Sequence, residues 1–159
     1  MVIREAKRAD IDVLVTLLRT SFRDVAERFC ITKENNPKSL AFCTNERIES
    51  DLEKDLTYYV LEDDGQACGC VALERAKPGV CYLMRLAVLP EHRGKGYGKK
   101  LVHHIFEKSR TSGARRVEIA MISKDTRLKK WYKKLGFIQK STKKYDHLPF
   151  IVAFMYREL

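Results

Sequence analysis

The run Arg85-Leu86-Ala87-Val88-Leu89-Pro90-Glu91-His92-Arg93-Gly94-Lys95-Gly96-Tyr97-Gly98 constrains this chain more than any other stretch. Its apolar first half reads as a strand, which Pro90 ends because proline has no amide hydrogen for a ladder. Its second half sets glycines at 94, 96 and 98 at the start of a helix predicted over Tyr97 to Thr111, with Gly113 as its stop. A strand-to-helix junction of this kind exposes unpaired N–H groups and the positive end of the helix dipole. Both favour a phosphate or pyrophosphate, and the glycines let backbone approach the anion closely. Two phosphate loops are excluded by spacing. A P-loop needs Ser or Thr after Gly-Lys, where this chain has Gly96. A dinucleotide fingerprint needs G-x-G-x-x-G, where this chain has G-x-G-x-G. On spacing alone, a glycine-rich connector that binds nothing also fits.

The elements around this junction can be read in order. Val2 to Glu5 is a strand. A helix follows, with Asp10 as N-cap and Ile11, Leu14, Leu18, Phe22, Val25 and Phe29 as its apolar stripe. Cys30 to Cys43 is a loop, and a second helix runs from a cap at Thr44 to about Asp55. Strands are predicted at Thr57–Leu61, Gln66–Arg75 and Val80–Leu89, joined by turns at Asp63-Asp64-Gly65 and Lys77-Pro78-Gly79. After the glycine loop and its helix come a strand at Arg116–Ile122 and a helix from Asp125 to about Leu135. Strands near Phe137–Gln139 and Phe150–Arg157 complete the chain. The order β-α-α-β-β-β-α-β-α-β-β predicts an α/β (α+β) fold. Its mixed, mostly antiparallel sheet has about six to seven strands, with helices on both faces. No linker or repeat divides residues 1–159, so one domain is expected.

Composition narrows the class. With 159 residues, 45% hydrophobic and 33% charged, the chain can bury a core and is not of disordered type. No apolar run is long enough for a membrane span, and the first residues lack a signal-peptide build, so a cytoplasmic protein is expected. The five cysteines are odd in number, and none sits at zinc spacing. Cys68 and Cys70, two apart in a strand, are expected to share a face as structural thiols, and no metal is expected. The net charge of +10 concentrates in Lys124, Arg127, Lys129, Lys130, Lys133, Lys134, Lys140, Lys143 and Lys144. A solvated basic surface is favoured over a nucleic-acid partner.

Arg93-x-x-Gly96-x-Gly98 resembles the acyl-CoA signature of the GNAT superfamily of acetyl-CoA-dependent N-acetyltransferases, Q/R-x-x-G-x-G/A. Tyr132-Lys133-Lys134-Leu135-Gly136-Phe137 resembles its Y-x-K-x-G-F block, and the element order matches along nearly the whole chain. The resemblance implies direct transfer of acetyl from acetyl-CoA, as cosubstrate, to a primary amine. It implies that backbone amides from Arg93 through Gly94, Lys95, Gly96 and Tyr97 to Gly98 hold the pyrophosphate, with Arg93 and Lys95 adding charge. It also implies that an N–H in the Leu86-Ala87-Val88 segment polarises the thioester carbonyl, the Leu86 and Val88 side chains being core. The phenol of Tyr132 matches the general acid that protonates the leaving thiolate. Where the family often has Asn, seven residues before that tyrosine, this chain has Asp125. It can cap the helix but cannot donate as an amide does, which puts a cofactor contact in doubt.

Where some relatives carry a glutamate base, this chain has Tyr82. Water held by Tyr82 is the expected route for the amine's proton, with Glu74 and Glu118 as weaker candidates. The acceptor is not legible; Arg23, Glu27, Arg28 and Phe29 are its candidate lining. Glu46, Glu49, Asp51, Glu53 and Asp55 could form an acidic patch on the second helix. A homodimer is left open. The competing reading is a basic nucleic-acid-binding or regulatory module on a degenerate acyl-CoA-binding fold.

Overall fold

The computed structural model describes residues 1–159. Seven strands form one sheet in the order β1-β2-β3-β4-β5-β7-β6: β1 Val2–Glu5, β2 Leu56–Asp63, β3 Gln66–Lys77, β4 Val80–Val88, β5 Arg116–Ile122, β6 Ile138–Lys144 and β7 Ile151–Glu158. Every neighbouring pair is antiparallel except β4–β5, which is parallel. A parallel pair needs a crossover, and the helix α3 Tyr97–Thr111 supplies it. The other helices are α1 Ile11–Arg28, α2 Asn45–Glu53 and α4 Thr126–Lys134.

The helices divide between the two faces. Leu101, Val102, Ile105 and Phe106 of α3 and Tyr132 of α4 pack on Val71, Leu83, Val117, Ile119, Met121 and Met155. On the other face, Leu14, Val15, Leu17 and Leu18 of α1 and Ile48 of α2 pack on Tyr58, Val60, Cys70, Ala72 and Ala87. A third, small cluster joins Ala26, Ile31 and Ala41 to Phe22, Phe42, Ile122 and Phe150, seating the end of α1 above the C-terminal end of β5.

The expected element order holds, with local differences. Strand β6 runs on to Lys144 because its fully exposed edge needs no apolar face, so its lysines hid it from a hydrophobic pattern. Asp10 precedes α1 but makes no side-chain cap; its carboxylate accepts from Arg4 at 2.8 and 2.9 Å and from the Lys7 amide at 2.8 Å. Thr44 and Asp125 do cap, accepting from the amides of Arg47 and Leu128. Cys68 and Cys70 do not share a face. The β2–β3 register slips between Leu61 and Glu62, which turns Cys68 into the α3 side while Cys70 stays on the α1 side. All five cysteines are free thiols.

Candidate active site

Two backbone irregularities shape the centre of the sheet. Strands β4 and β5 pair only where Val80, Cys81 and Tyr82 meet Arg116, Val117 and Glu118. Beyond Tyr82 they diverge, so the β5-facing edge of β4 from Leu83 to Val88 has no strand partner. Within that stretch β4 carries one extra residue against β3, because Cys70 faces Ala87 while Ala72 faces Met84. The bulge is centred on Arg85, a non-glycine residue at φ 57°. A bulge of this kind leaves a residue out of the ladder and re-aims the backbone beside it.

The glycine loop stands at the C-terminal end of this opening. A short 3₁₀ turn, Pro90–His92, leads from β4 into Arg93. Gly94 and Gly96 take φ of 81° and 82°, and a Cβ built on either would meet nothing within 4 Å, so the turn is lined by backbone alone. Gly96 is the residue just before α3, whose first amides are therefore free to meet an anion. Gly98 serves packing: a Cβ there would lie 3.3 Å from the Trp131 ring, where α4 leans on the first turn of α3.

Side chains of the loop divide between roles. The Arg93 guanidinium turns away from the glycines. Its Nε donates to the Val88 carbonyl at 3.1 Å, and its other nitrogens donate to Asp24 at 3.0 Å and to the Ser21 carbonyl at 2.8 Å. Burial alone would raise the Asp24 carboxyl, but the Arg93 bond and charge, with Arg28, hold it below its ordinary range. Arg93 thus ties α1 to the end of β4, and Lys95 is the cation left beside the glycines. The Tyr97 side chain is buried and donates its hydroxyl to Asp63, which leaves its backbone N–H as its contribution to the loop.

Tyr132 lies on α4, buried to 6% exposure, with its ring edge-on to Trp131 and Phe137. It belongs to the cluster that Leu86 and Val88 pack against, and its neighbour Trp131 meets Gly98 beside Val88. Burial, and then the negative charge of Asp125, push the phenol well above its ordinary range, so it holds its proton at neutral pH. Both Asp125 oxygens are engaged. Oδ1 caps α4 by accepting from the Leu128 amide at 3.2 Å, and Oδ2 lies 3.8 Å from Arg28 of α1.

On the α1 face the register aligns three chemical groups that the sequence separates. Glu74 faces Tyr82 across β3–β4, and Tyr82 faces Glu118 across β4–β5, at the point where the strands part. Glu118 accepts from Lys140 at 3.1 Å and lies 3.8 Å from Arg116. Near the end of α1, a recess of about 360 Å³ is lined by Arg19, Arg23, Ala26, Glu27, Ile31, Lys33, Ala41 and Phe42. Of the expected lining, Arg23 and Glu27 are there, Arg28 turns to Asp125, and Phe29 packs in the small cluster. Of the basic stretch, Lys124 lies in the turn before α4, Arg127, Lys129, Lys130, Lys133 and Lys134 on α4, and Lys140, Lys143 and Lys144 on the edge strand β6.

Residues 21–137 match the Acetyltransferase (GNAT) family. The chain belongs to that family. Its structure superposes on a PaiA N-acetyltransferase from Thermoplasma acidophilum solved with coenzyme A, at TM-score 0.77 and 19% identity over 99% of this chain and 98% of that one. It superposes on the ribosomal-protein-S18-alanine N-acetyltransferase of Escherichia coli at TM-score 0.79 and 12% identity, over 99% and 92%. These likenesses are of fold. In sequence the chain is similar to an amino-acid acetyltransferase of Ralstonia nicotianae, 34% identical over 100 residues, 62% of this chain. The chain spans about a fifth of the length of that relative, 21%. No helix of this GNAT domain is long and apolar enough to cross a membrane.

One group in the site escaped sequence reasoning. Asp51 does not join an acidic patch on α2. It is 8% exposed, faces the sheet, and meets Tyr58 and Arg85. Its spacing of three from the buried Ile48 is the signal that places it on the inner face of the helix.

Proposed function

We propose that this domain transfers an acetyl group from acetyl-CoA directly to a primary amine. The observation that carries the reading is the backbone-lined glycine turn at the start of α3, opening onto the unpaired edge of β4, with Tyr132 buried in the core that Leu86 and Val88 pack against. Amides from Arg93 to Gly98 hold the pyrophosphate, and Lys95 adds charge. Arg93 acts through its side chain as the tie that fixes the loop against α1. The thioester lies along the diverging part of β4, where an N–H of Leu86, Ala87 or Val88 polarises its carbonyl. Tyr132 gives its proton to the departing thiolate. Asp125 acts as the α4 cap, not as a cofactor contact. On the opposite face Tyr82, flanked by Glu74 and Glu118, holds the water that takes the amine's proton.

The recess at the end of α1 sharpens the acceptor. Arg19, Arg23 and Lys33 against the single acid Glu27 favour an amine that also carries an anionic group, such as a carboxylate. The likeness to a protein named amino-acid acetyltransferase supports the same reading. An acetyl-CoA turnover screen across amino acids, polyamines, aminoglycosides and peptides tests it. Turnover of carboxylate-bearing amines over polycations is expected, whereas a preference for polyamines overturns the acceptor assignment. Failure of millimolar acetyl-CoA to raise the melting temperature overturns the whole reading.

A further inference from the structure

The bulge in β4 has a support that lies outside the glycine loop and outside the Tyr132 wall. The Arg85 side chain reaches over β3, on the α1–α2 face of the sheet, to β2 and α2. It can do so because the β3 residues in its way are small: Ala72 stands between Tyr58 and Met84, and Cys70 between Val60 and Ala87. Arg85 Nε donates to the Tyr58 hydroxyl at 3.3 Å and to Asp51 Oδ2 at 3.4 Å, and Nη2 donates to the same oxygen at 3.4 Å. Tyr58 in turn donates to Asp51 at 2.6 Å. The ion pair is buried, with Arg85 and Asp51 side chains 14% and 11% exposed, and Tyr58 is wholly buried. The Cys70 thiol faces the Arg85 carbonyl at 3.7 Å.

A left-handed non-glycine residue persists only where its surroundings over-determine it. Here two elements do so. Helix α2, through Asp51, and strand β2, through Tyr58, hold the side chain of the one β4 residue whose backbone is turned. The turned peptide immediately precedes Leu86, Ala87 and Val88. We propose that Arg85, anchored by Asp51 and Tyr58, is a positioning residue: it fixes the bulge so that the backbone N–H after it meets the thioester carbonyl. This inference rests on the acetyl-transfer reading above.

A buried ion pair complicates the obvious variant, because Arg85→Met alone leaves Asp51 as an uncompensated buried charge. The double variant Asp51→Leu/Arg85→Met removes both charges together, and such apolar replacements are often neutral for stability. Three quantities are measured on wild type and double variant: melting temperature, kcat with the acceptor from the screen, and calorimetric Kd for CoA and for acetyl-CoA. The expected result is a cooperative thermal transition, lowered only by the cost of the Tyr58 hydroxyl left without partners, with unchanged CoA affinity and a lost preference for acetyl-CoA over CoA. A roughly 10- to 100-fold fall in kcat accompanies it, the scale of a small misplacement of a catalytic group. Wild-type kcat together with wild-type acetyl-CoA preference in a folded double variant overturns the proposal and leaves acetyl transfer standing. Wild-type protein that binds neither CoA nor acetyl-CoA overturns both. Should the double variant not fold, Tyr58→Phe removes one acceptor of Arg85 and keeps the ring. It should lose kcat and acetyl-CoA preference in the same direction by a smaller factor, and no change in either overturns the proposal.

Discussion

The two faces of β4 are built by different means. On the α3–α4 face the chemistry is local: the glycine turn and its helix are contiguous, and Tyr132 stands five residues from the Phe137 it packs against. On the α1–α2 face the groups are brought together by register. Glu74, Tyr82 and Glu118 come from three strands, and Arg85, Asp51 and Tyr58 from two strands and a helix. A local device survives insertion or drift elsewhere in the chain, because its geometry depends on consecutive residues. A register-built device is lost or remade by a one-residue slip.

The sharpest way to break this comparison is at the loop. Gly96→Glu puts a side chain on a left-handed residue and a carboxylate where the pyrophosphate is proposed to bind. Acetyl-CoA should then produce no rise in melting temperature, a loss of at least ~100-fold in affinity, since strain and like charge add. An unchanged shift would place the cofactor elsewhere. Tyr132→Phe comes next. It removes a hydroxyl and keeps the packing ring, so kcat should fall ~10²–10⁴-fold with acetyl-CoA affinity retained. Full kcat, with chemistry shown to be rate-limiting, would make Tyr132 a core residue only.

On the acceptor face smaller, more selective effects are expected. Arg23→Glu should raise KM for a carboxylate-bearing acceptor about tenfold, near 1.4 kcal/mol, and leave KM for acetyl-CoA alone. An equal rise in both would show a general disturbance of α1. Tyr82→Phe should lower kcat/KM most at low pH, where deprotonating the amine is hardest; a uniform fall across pH would remove Tyr82 from the proton path.

The smallest effect lies far from either face. Asp10 is held down to about 2 from 3.8, first by the Arg4 hydrogen bond, against burial that raises it, then by the Lys7 amide and the charge of Arg4. A carboxyl depressed in the folded state contributes stability that is present above pH ~4 and disappears as pH falls through ~2. Asp10→Asn should therefore cost about 1 kcal/mol at pH 7, because the half-exposed Arg4 partner leaves the pair screened by solvent, and the difference from wild type should shrink as pH falls through ~2 and vanish below it. A difference that persists undiminished below pH ~2 would locate the loss in packing.

Much of this molecule was written along the chain. The element order, the helix over Tyr97–Thr111, the strand over Arg116–Ile122, the caps at Thr44 and Asp125, and the glycine turn all follow from periodicity, capping residues and backbone freedom, which act over a few consecutive residues. What the tertiary structure alone decided is where strands slip and which distant groups meet. The bulge at Arg85, the parting of β4 from β5 after Tyr82 and the opposite facing of Cys68 and Cys70 are events of register between neighbours. So is the conversion of Asp51 from an apparent surface acid into the buried anchor of Arg85. A strand's own residues specify its alternation but not the one extra residue that a partner strand leaves unmatched, because that mismatch exists only once both strands are paired.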